Sequence, residues 1–215
     1  MLSSTLVFQL GFGYGLTVIK CPAIANAKRY ASLLRTHPTN RTCRQIHNMT
    51  ETHPYEPYVP KNSTILILGS FPGLHQTRKL NGYEEWFYSA KRNKFWKIIE
   101  TVYSTELQTV ADKKKLLSQK GIAITDIILK AKRKQESNLD QHLYDIEFNS
   151  KAIKEIIENP KIERVFFTSQ FVERHFKRLF PTYRNAECLP SPSPRSARIS
   201  LEDKIKTYKE KLPNK

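Results

Sequence analysis

The segment Gly69-Ser70-Phe71-Pro72-Gly73 closes an apolar run, Thr64 to Leu68, and has the composition of a turn that meets a ligand. Gly69 and Gly73 carry no Cβ, so backbone there comes close to a bound group, and Pro72 fixes its own φ. The turn lacks the spacing and the Gly-Lys-Ser/Thr ending of a nucleotide P-loop. Ser70 stands outside any Gly-x-Ser-x-Gly frame, which makes a turn hydroxyl the simpler reading than a nucleophile. A second unusual stretch is Pro190-Ser191-Pro192-Ser193-Pro194-Arg195, with Arg198 close behind. Alternating prolines stiffen the chain and hold the hydroxyls of Ser191 and Ser193 outward beside two guanidinium groups, a combination that suits a phosphate backbone as well as it suits an ordinary rigid loop.

Other side chains have a chemical and a structural reading side by side. Asn93, flanked by Lys91, Arg92 and Lys94, stands where a helix should begin and is either a cap or a positioned amide. Asp126 ends an apolar run and is either a carboxylate for catalysis or a cap for a backbone amide. Trp86, Phe87, Tyr88, Phe95 and Trp96 form a cluster that reads as core, with a stacking wall for a base as the alternative. His175 falls on an apolar helix face and is expected to be packed; Glu84 and Glu85 are expected to be solvated.

These residues need elements to position them. Ile65 to Leu68 is too short for an ordinary helix and suits a strand buried on both faces. Gly121 to Ile128, ending on Asp126, repeats that logic, as do Ile162 to Phe167, closing on Thr168-Ser169, and Ala186 to Leu189. Between them lie helical patterns: one from Lys91 with Phe95, Ile98, Ile99 and Val102 on one face, one from Thr109 to Lys120, one over Ser150 to Glu158, and one with Val172, His175, Phe176 and Leu179 on a face. Ser200 with Asp203 opens a last helix whose Leu201, Ile205, Tyr208 and Leu212 should face the core. His53 to Pro60, punctuated by Pro54, Pro57 and Pro60, is an extended lead-in along the sheet, and Lys130 to Lys134 reads as a basic loop. Strands separated by helices predict a parallel sheet, so the Gly69 turn, Asp126, Thr168-Ser169 and the Ser-Pro loop gather at one ligand-binding edge.

Composition narrows the partner. A chain of 215 residues with 39% apolar and 11% aromatic content sustains one α/β domain with a real core. Lys and Arg number 36 against 20 Asp and Glu, a net charge of +16, so a polyanion is expected, nucleic acid ahead of an anionic membrane surface. No apolar run approaches the ~20 residues that cross a bilayer. Cys21, Cys43 and Cys188 lie far apart and form no Cys-x-x-Cys pair, which predicts free thiols in a reducing, cytoplasmic setting. Residues 1 to 48 carry six Lys or Arg and no acid and show no sustained periodicity; they read as an extension outside a domain at 49 to 215, with a targeting leader as the alternative.

In order along the chain, His53-Pro54-Tyr55, Leu66-Ile67-Leu68-Gly69-Ser70-Phe71-Pro72, Arg92-Asn93-Lys94-Phe95-Trp96, Gly121-Ile122-Ala123 and Leu189-Pro190-Ser191-Pro192-Ser193-Pro194 occur in a pattern that resembles the uracil-DNA glycosylase superfamily, nearest its hypoxanthine-DNA glycosylase-like branch. The resemblance runs from His53 to about Leu212. It implies a three-layer α/β/α sandwich around a central, mainly parallel four-stranded sheet, and a monomeric, monofunctional enzyme that flips a deaminated or mismatched base out of DNA and hydrolyses its N-glycosidic bond. It further implies a base pocket built from Gly69, Ser70, Phe71, Pro72, Phe95, Thr168 and Ser169, a water handled by Asn93, and DNA held by Ser191, Pro192, Ser193, Arg195 and Arg198, with no metal or cofactor. The chain departs from the pattern in offering no acid in the first turn and Leu189 where many relatives place His. A non-catalytic nucleic-acid-binding module on the same fold is the rival reading.

Overall fold

Burial of Ile65, Leu66, Ile67, Leu68 and Gly69 without a break marks a strand with no solvent face, and in the computed structural model it lies at the centre of a sheet. The structure describes residues 49–78, 86–134 and 137–213. Its elements in chain order are β1 (Thr50–Thr52), β2 (Ile65–Gly69), α1 (Leu74–Thr77), α2 (Phe95–Tyr103), α3 (Val110–Gln119), β3 (Ile122–Asp126), β4 (Ile128–Arg133), a 3-10 turn (Asp140–His142), β5 (Leu143–Phe148), α4 (Ser150–Ile157), β6 (Arg164–Phe167), α5 (Gln170–Leu179), β7 (Ala186–Cys188) and α6 (Leu201–Lys211). The reading of residues 1 to 48 lies outside the described residues, as do Glu84 and Glu85, Cys21 and Cys43.

The main sheet has the order β3-β2-β6-β7, parallel throughout, with Ile67 opposite Ile124 on one side and Phe166 on the other. Its two faces sort by alternation along β2. Ile65 and Ile67 join Phe95, Ile98 and Ile99 of α2, Leu116 and Leu117 of α3, and Tyr208 of α6. Leu66 and Leu68 join Ile153 and Ile156 of α4 and Val172 and Phe176 of α5. Both faces are therefore covered, which is the three-layer sandwich expected, and each buried Leu, Ile or Phe in it contributes about 2 kcal/mol of apolar transfer.

A second sheet was not foreseen. β1, β4 and β5 form an antiparallel ribbon beside the sandwich, and its Ala131, Ile128 and Leu143 pack into the same apolar cluster as Leu66 and Leu68. Of the run Lys130 to Lys134, expected as a basic loop, Lys130 to Arg133 is thus strand. Register shifts along the β4 and β5 pair, with Asp145 at φ 52, break the period-two alternation by which a strand is recognised from sequence.

The lead-in behaves as expected. Tyr58 exchanges backbone hydrogen bonds with Ile124 at 3.0 and 2.9 Å and closes the outer edge of β3. Helix α2 begins at Phe95 rather than at Lys91, because Ala90 to Asn93 forms a turn, with the Asn93 amide donating to the Ala90 carbonyl at 2.7 Å. Ser200 caps α6 by accepting from the Asp203 amide, but Leu201 is 38% exposed and faces solvent, leaving Ile205, Tyr208 and Leu212 to anchor the helix.

Candidate functional site

The sheet order creates a crevice. The chain lays β3 on one side of β2 and then crosses to place β6 on the other, so the loops leaving β2, β3 and β6 diverge at their carboxyl ends. Gly69, Asp126 and Thr168 stand at those three ends.

Gly69 is required there by space. A Cβ on it would collide with the Asp126 Oδ1 carboxylate oxygen and with the Tyr88 hydroxyl, which both close on that point. Tyr88 reaches it from a backbone at φ 57, a strained value for a residue other than glycine, and its ring stacks on Phe95 with centroids 4.2 Å apart. Its hydroxyl, the buried end of the side chain, lies 3.0 Å from Thr168 Oγ1. Burial, reinforced by the neighbouring Asp126 carboxylate, raises the tyrosine well above its ordinary pKa, so this group stays a neutral hydrogen-bonding phenol.

Asp126 is buried and is braced from behind. Its Oδ2 lies 3.0 Å from His53 Nε2, and His53 Nδ1 sits 2.7 Å from the Tyr55 carbonyl oxygen. The imidazole is held between the rings of Phe71 and Phe87, 6.0 and 5.5 Å away. An aspartate at a strand end thus has a histidine partner rather than a backbone amide, and the His53-Pro54-Tyr55 motif acquires a structural reason.

The first turn is cross-linked to its surroundings. Arg133 on β4 donates to the Pro72 carbonyl at 3.1 Å and to the Ser137 carbonyl at 2.7 Å, while pairing with the buried Glu51 carboxylate at 3.0 Å. Gln76 of α1 accepts from the Gly73 amide at 2.9 Å and donates to Ser89 Oγ at 2.7 Å, tying the turn to the aromatic segment that carries Tyr88. Burial pushes the Asp140 carboxyl above the ordinary carboxylate range, and the Ser70 side chain and two arginines work against that rise.

The Ser-Pro loop closes the crevice from the far side. The Pro192 carbonyl accepts from the Lys94 amide at 3.0 Å, the Pro190 carbonyl from the Tyr208 hydroxyl at 3.1 Å, and the Ser196 carbonyl from the buried ammonium of Lys204 at 2.7 Å. These contacts hold the loop from beneath and leave Arg195 and Arg198 exposed at its tip.

The uracil DNA glycosylase superfamily matches this sequence over residues 56–213. The chain belongs to that superfamily. Two curated relatives carry the name hypoxanthine DNA glycosylase: a Methanosarcina barkeri protein, 31% identical over 111 residues that cover 50% of this chain and 66% of that protein, and a Methanosarcina acetivorans protein, 29% identical over 143 residues that cover 65% and 85%. The fold is similar to the solution NMR structure of a candidate uracil DNA glycosylase from Methanosarcina acetivorans, with a TM-score of 0.56 and 23% identity, covering 75% of this chain and 98% of that one.

Within this superfamily fold, Gly69 and Thr168 meet Tyr88 and Asp126 at the strand ends and Ser70 follows directly on Gly69, while Phe71 packs edge-on against His53 with the Arg133 guanidinium over its ring. Other expected residues serve the frame. Phe95 is fully buried beneath Tyr88, so of the two stacked rings only that of Tyr88, a half-buried residue, is left partly exposed. Ser169 caps α5 by accepting from the Val172 amide at 3.4 Å. Pro192 is buried and anchors the loop through its carbonyl, whereas Ser191 and Ser193 are half-buried above it. Asn93 stands one residue ahead of Lys94, the N-cap of α2, so it is not the cap anticipated for it; its Oδ1 accepts from the Phe95 amide at 2.9 Å in a local turn that fixes its carboxamide beside the Pro192 anchor. His53, Asp140 and Arg133 had no assigned place at the site. His53 already stood in a family motif; Asp140 carried no local signal, because only the fold returns its turn to Ser70.

Proposed function

We propose that the chain is a DNA glycosylase that takes a deaminated base, hypoxanthine or uracil, into the crevice at the ends of β2, β3 and β6 and hydrolyses its N-glycosidic bond with water. The observation that carries this reading is the convergence of Gly69, Tyr88, Thr168 and Asp126 on one point in a chain of the uracil DNA glycosylase superfamily. The names of the two curated relatives support testing hypoxanthine first.

The chemistry asks little of the protein. Electrons of the glycosidic bond leave with the base, positive charge develops on the sugar, and water adds to it. Extruding the base costs a few kcal/mol, least at a mispair, and binding to the exposed tip of the Ser-Pro loop offsets that cost. Tyr88, half-buried with its ring backed by Phe95, supplies the stacking face, and the Thr168 hydroxyl, the Tyr88 hydroxyl and the Asp126 carboxylate supply polar contacts to the base edge. Asn93 orients the water: one lone pair of its oxygen is taken by the Phe95 amide, which fixes the carboxamide and leaves the other lone pair for a water proton.

A panel of duplexes, each carrying one modified base, treated with protein and then alkali, tests the reading. Strand breaks at deoxyinosine or deoxyuridine are expected. Asn93→Ala should slow that release by roughly 10²–10⁴-fold with DNA affinity little changed. DNA bound in a gel without any alkali-labile site would favour the non-catalytic binding module, and a large fall in melting temperature for Asn93→Ala would reduce the residue to its structural hydrogen bond with the Phe95 amide.

A further inference from the structure

Helix α6 carries a cation where an apolar residue would serve the core better. Lys204 is 5% exposed and stands one helical turn before Tyr208, which is buried completely. Among the described residues no carboxylate pairs with its ammonium, and Glu202 and Asp203, directly before it, are exposed. Loss of solvent alone pulls the lysine below its ordinary pKa, with no acid to oppose the shift. Burying a charge without a counter-charge is unfavourable, so the fold keeps this ammonium for what it holds.

What it holds is the Ser-Pro loop. Lys204 Nζ donates to the Ser196 carbonyl at 2.7 Å, and the Tyr208 hydroxyl donates to the Pro190 carbonyl at 3.1 Å. A spacing of four residues puts both donors on one face of α6, and together they fix the loop at its two ends. Ser196 is pinned from both sides, because its own amide donates to the Ser193 carbonyl at 3.0 Å. Arg195 and Arg198 flank this pinned residue and are exposed. Arg195 also donates to the Asn138 carbonyl at 3.2 Å, a neutral partner that leaves its charge unanswered. A loop that first became ordered on a polyanion would lose backbone freedom at that moment; one already fixed in the free protein does not.

We propose that Lys204, with Tyr208, positions the Ser-Pro loop for DNA, holding its backbone so that Arg195 and Arg198 are presented together to the phosphates. The inference rests on the glycosylase reading, in which this loop binds DNA, and deepens it by assigning the residues that set the loop. Lys204 and Tyr208 are positioning residues: each acts on DNA through a loop carbonyl and the arginines beyond it.

The test uses the full chain and duplexes carrying one deoxyinosine, with DNA affinity and single-turnover base release at saturating protein measured side by side. Lys204→Met keeps the apolar stem and removes both donor and charge. Affinity should fall by roughly tenfold to a hundredfold, the equivalent of ordering one or two freed residues, and the loss should appear in the dissociation constant rather than in the saturated rate. Melting temperature should stay at or above the wild-type value, because a buried unpaired charge has gone. Lys204→Arg, which keeps a donor, should recover most of the affinity, and Tyr208→Phe should weaken binding by a few-fold. In a protein already carrying Arg195→Ala and Arg198→Ala, Lys204→Met should change affinity little further, because its effect passes through those two side chains. A cation acting only by its charge would cost the same factor in either background. Wild-type affinity in Lys204→Met, or an equal loss in both backgrounds, would overturn the proposal. Should Lys204→Met fail to fold, Tyr208→Phe decides, since wild-type affinity there would return both contacts to folding alone. A wild type that neither binds the deoxyinosine duplex nor releases its base would instead remove the glycosylase reading beneath the proposal.

Discussion

Lys130 to Arg133 and Arg195 to Arg198 look alike in the sequence, two basic runs in a protein of net charge +16, yet the fold uses them in opposite ways. In β4, Lys130 pairs with Glu147 at 2.9 Å, Lys132 with Asp145 at 2.8 Å and Arg133 with Glu51 at 3.0 Å. Three cations of that run are thus answered by carboxylates of the same domain. In the Ser-Pro loop, Arg195 meets a backbone carbonyl and lies exposed with Arg198 at a tip anchored from below. Charge counted along a chain therefore overstates the charge left unanswered by the fold, and the proposed function predicts that phosphates meet the loop rather than the strand.

The largest expected effect lies on the buried side. The Arg133 and Glu51 side chains are 3% and 1% exposed, and Glu51 also accepts from Thr77 at 2.8 Å and from Arg78 at 3.3 Å. Removing Arg133 leaves the buried Glu51 carboxylate only Thr77 and the more distant Arg78, so Arg133→Ala should cost about 3–5 kcal/mol in denaturant unfolding. Replacing both, as Arg133→Met with Glu51→Leu, should recover part of that loss, because the buried carboxylate is gone, while Arg78 gives up its contact with it. Arg133→Ala should also weaken base release, since the guanidinium holds the Pro72 carbonyl. A stability close to wild type for Arg133→Ala would mean that β4 is not tied to the first turn in the way the distances indicate.

How much of this was legible beforehand follows from where the information sits. The four parallel strands announce themselves as short apolar runs ending in turn residues, and the three-layer fold follows from their alternation with helices. β4 and β5 do not, because the bulge at Asp145 and the inward arginine spoil the alternation. The Gly69 turn was readable as a site because a glycine at a strand end has a local meaning. Tyr88 was not singled out from its cluster, since its importance comes from a left-handed backbone that presents its hydroxyl to Gly69 and Thr168. Asp126 was legible as a strand-end carboxylate but not as the partner of His53, a contact between residues far apart in the chain.

The exposed loop gives the intermediate effect. Each phosphate neutralised releases counterions and contributes about 0.9 to the slope of log K against log salt, which amounts to about tenfold in affinity at 0.1 M salt. Arg195→Ala with Arg198→Ala should thus flatten the slope by about 1.8 and weaken DNA binding by about a hundredfold, with unfolding free energy almost unchanged. An unaltered slope, measured by titration at several salt concentrations, would place the phosphate contacts on another face of the molecule.

The smallest effect is expected where the sequence suggested a large one. Lys130 is 41% exposed beside a Glu147 that is 53% exposed, and Lys132 is 26% exposed beside an Asp145 that is 65% exposed, so both pairs stand in water. The Asp145 carboxylate, hydrogen-bonded to the ammonium, raises the Lys132 pKa, and a lysine held by its own acid makes a poor phosphate ligand. An exposed pair of this kind also contributes little to folding, because solvent screens the attraction and ordering two long side chains costs entropy. Lys130→Ala with Lys132→Ala should therefore leave melting temperature, salt slope and base release near their wild-type values. If that double variant instead flattened the slope as much as Arg195→Ala with Arg198→Ala, DNA would have to displace Glu147 and Asp145 on binding. The two basic runs would then be equivalent in the complex although they differ in the free protein.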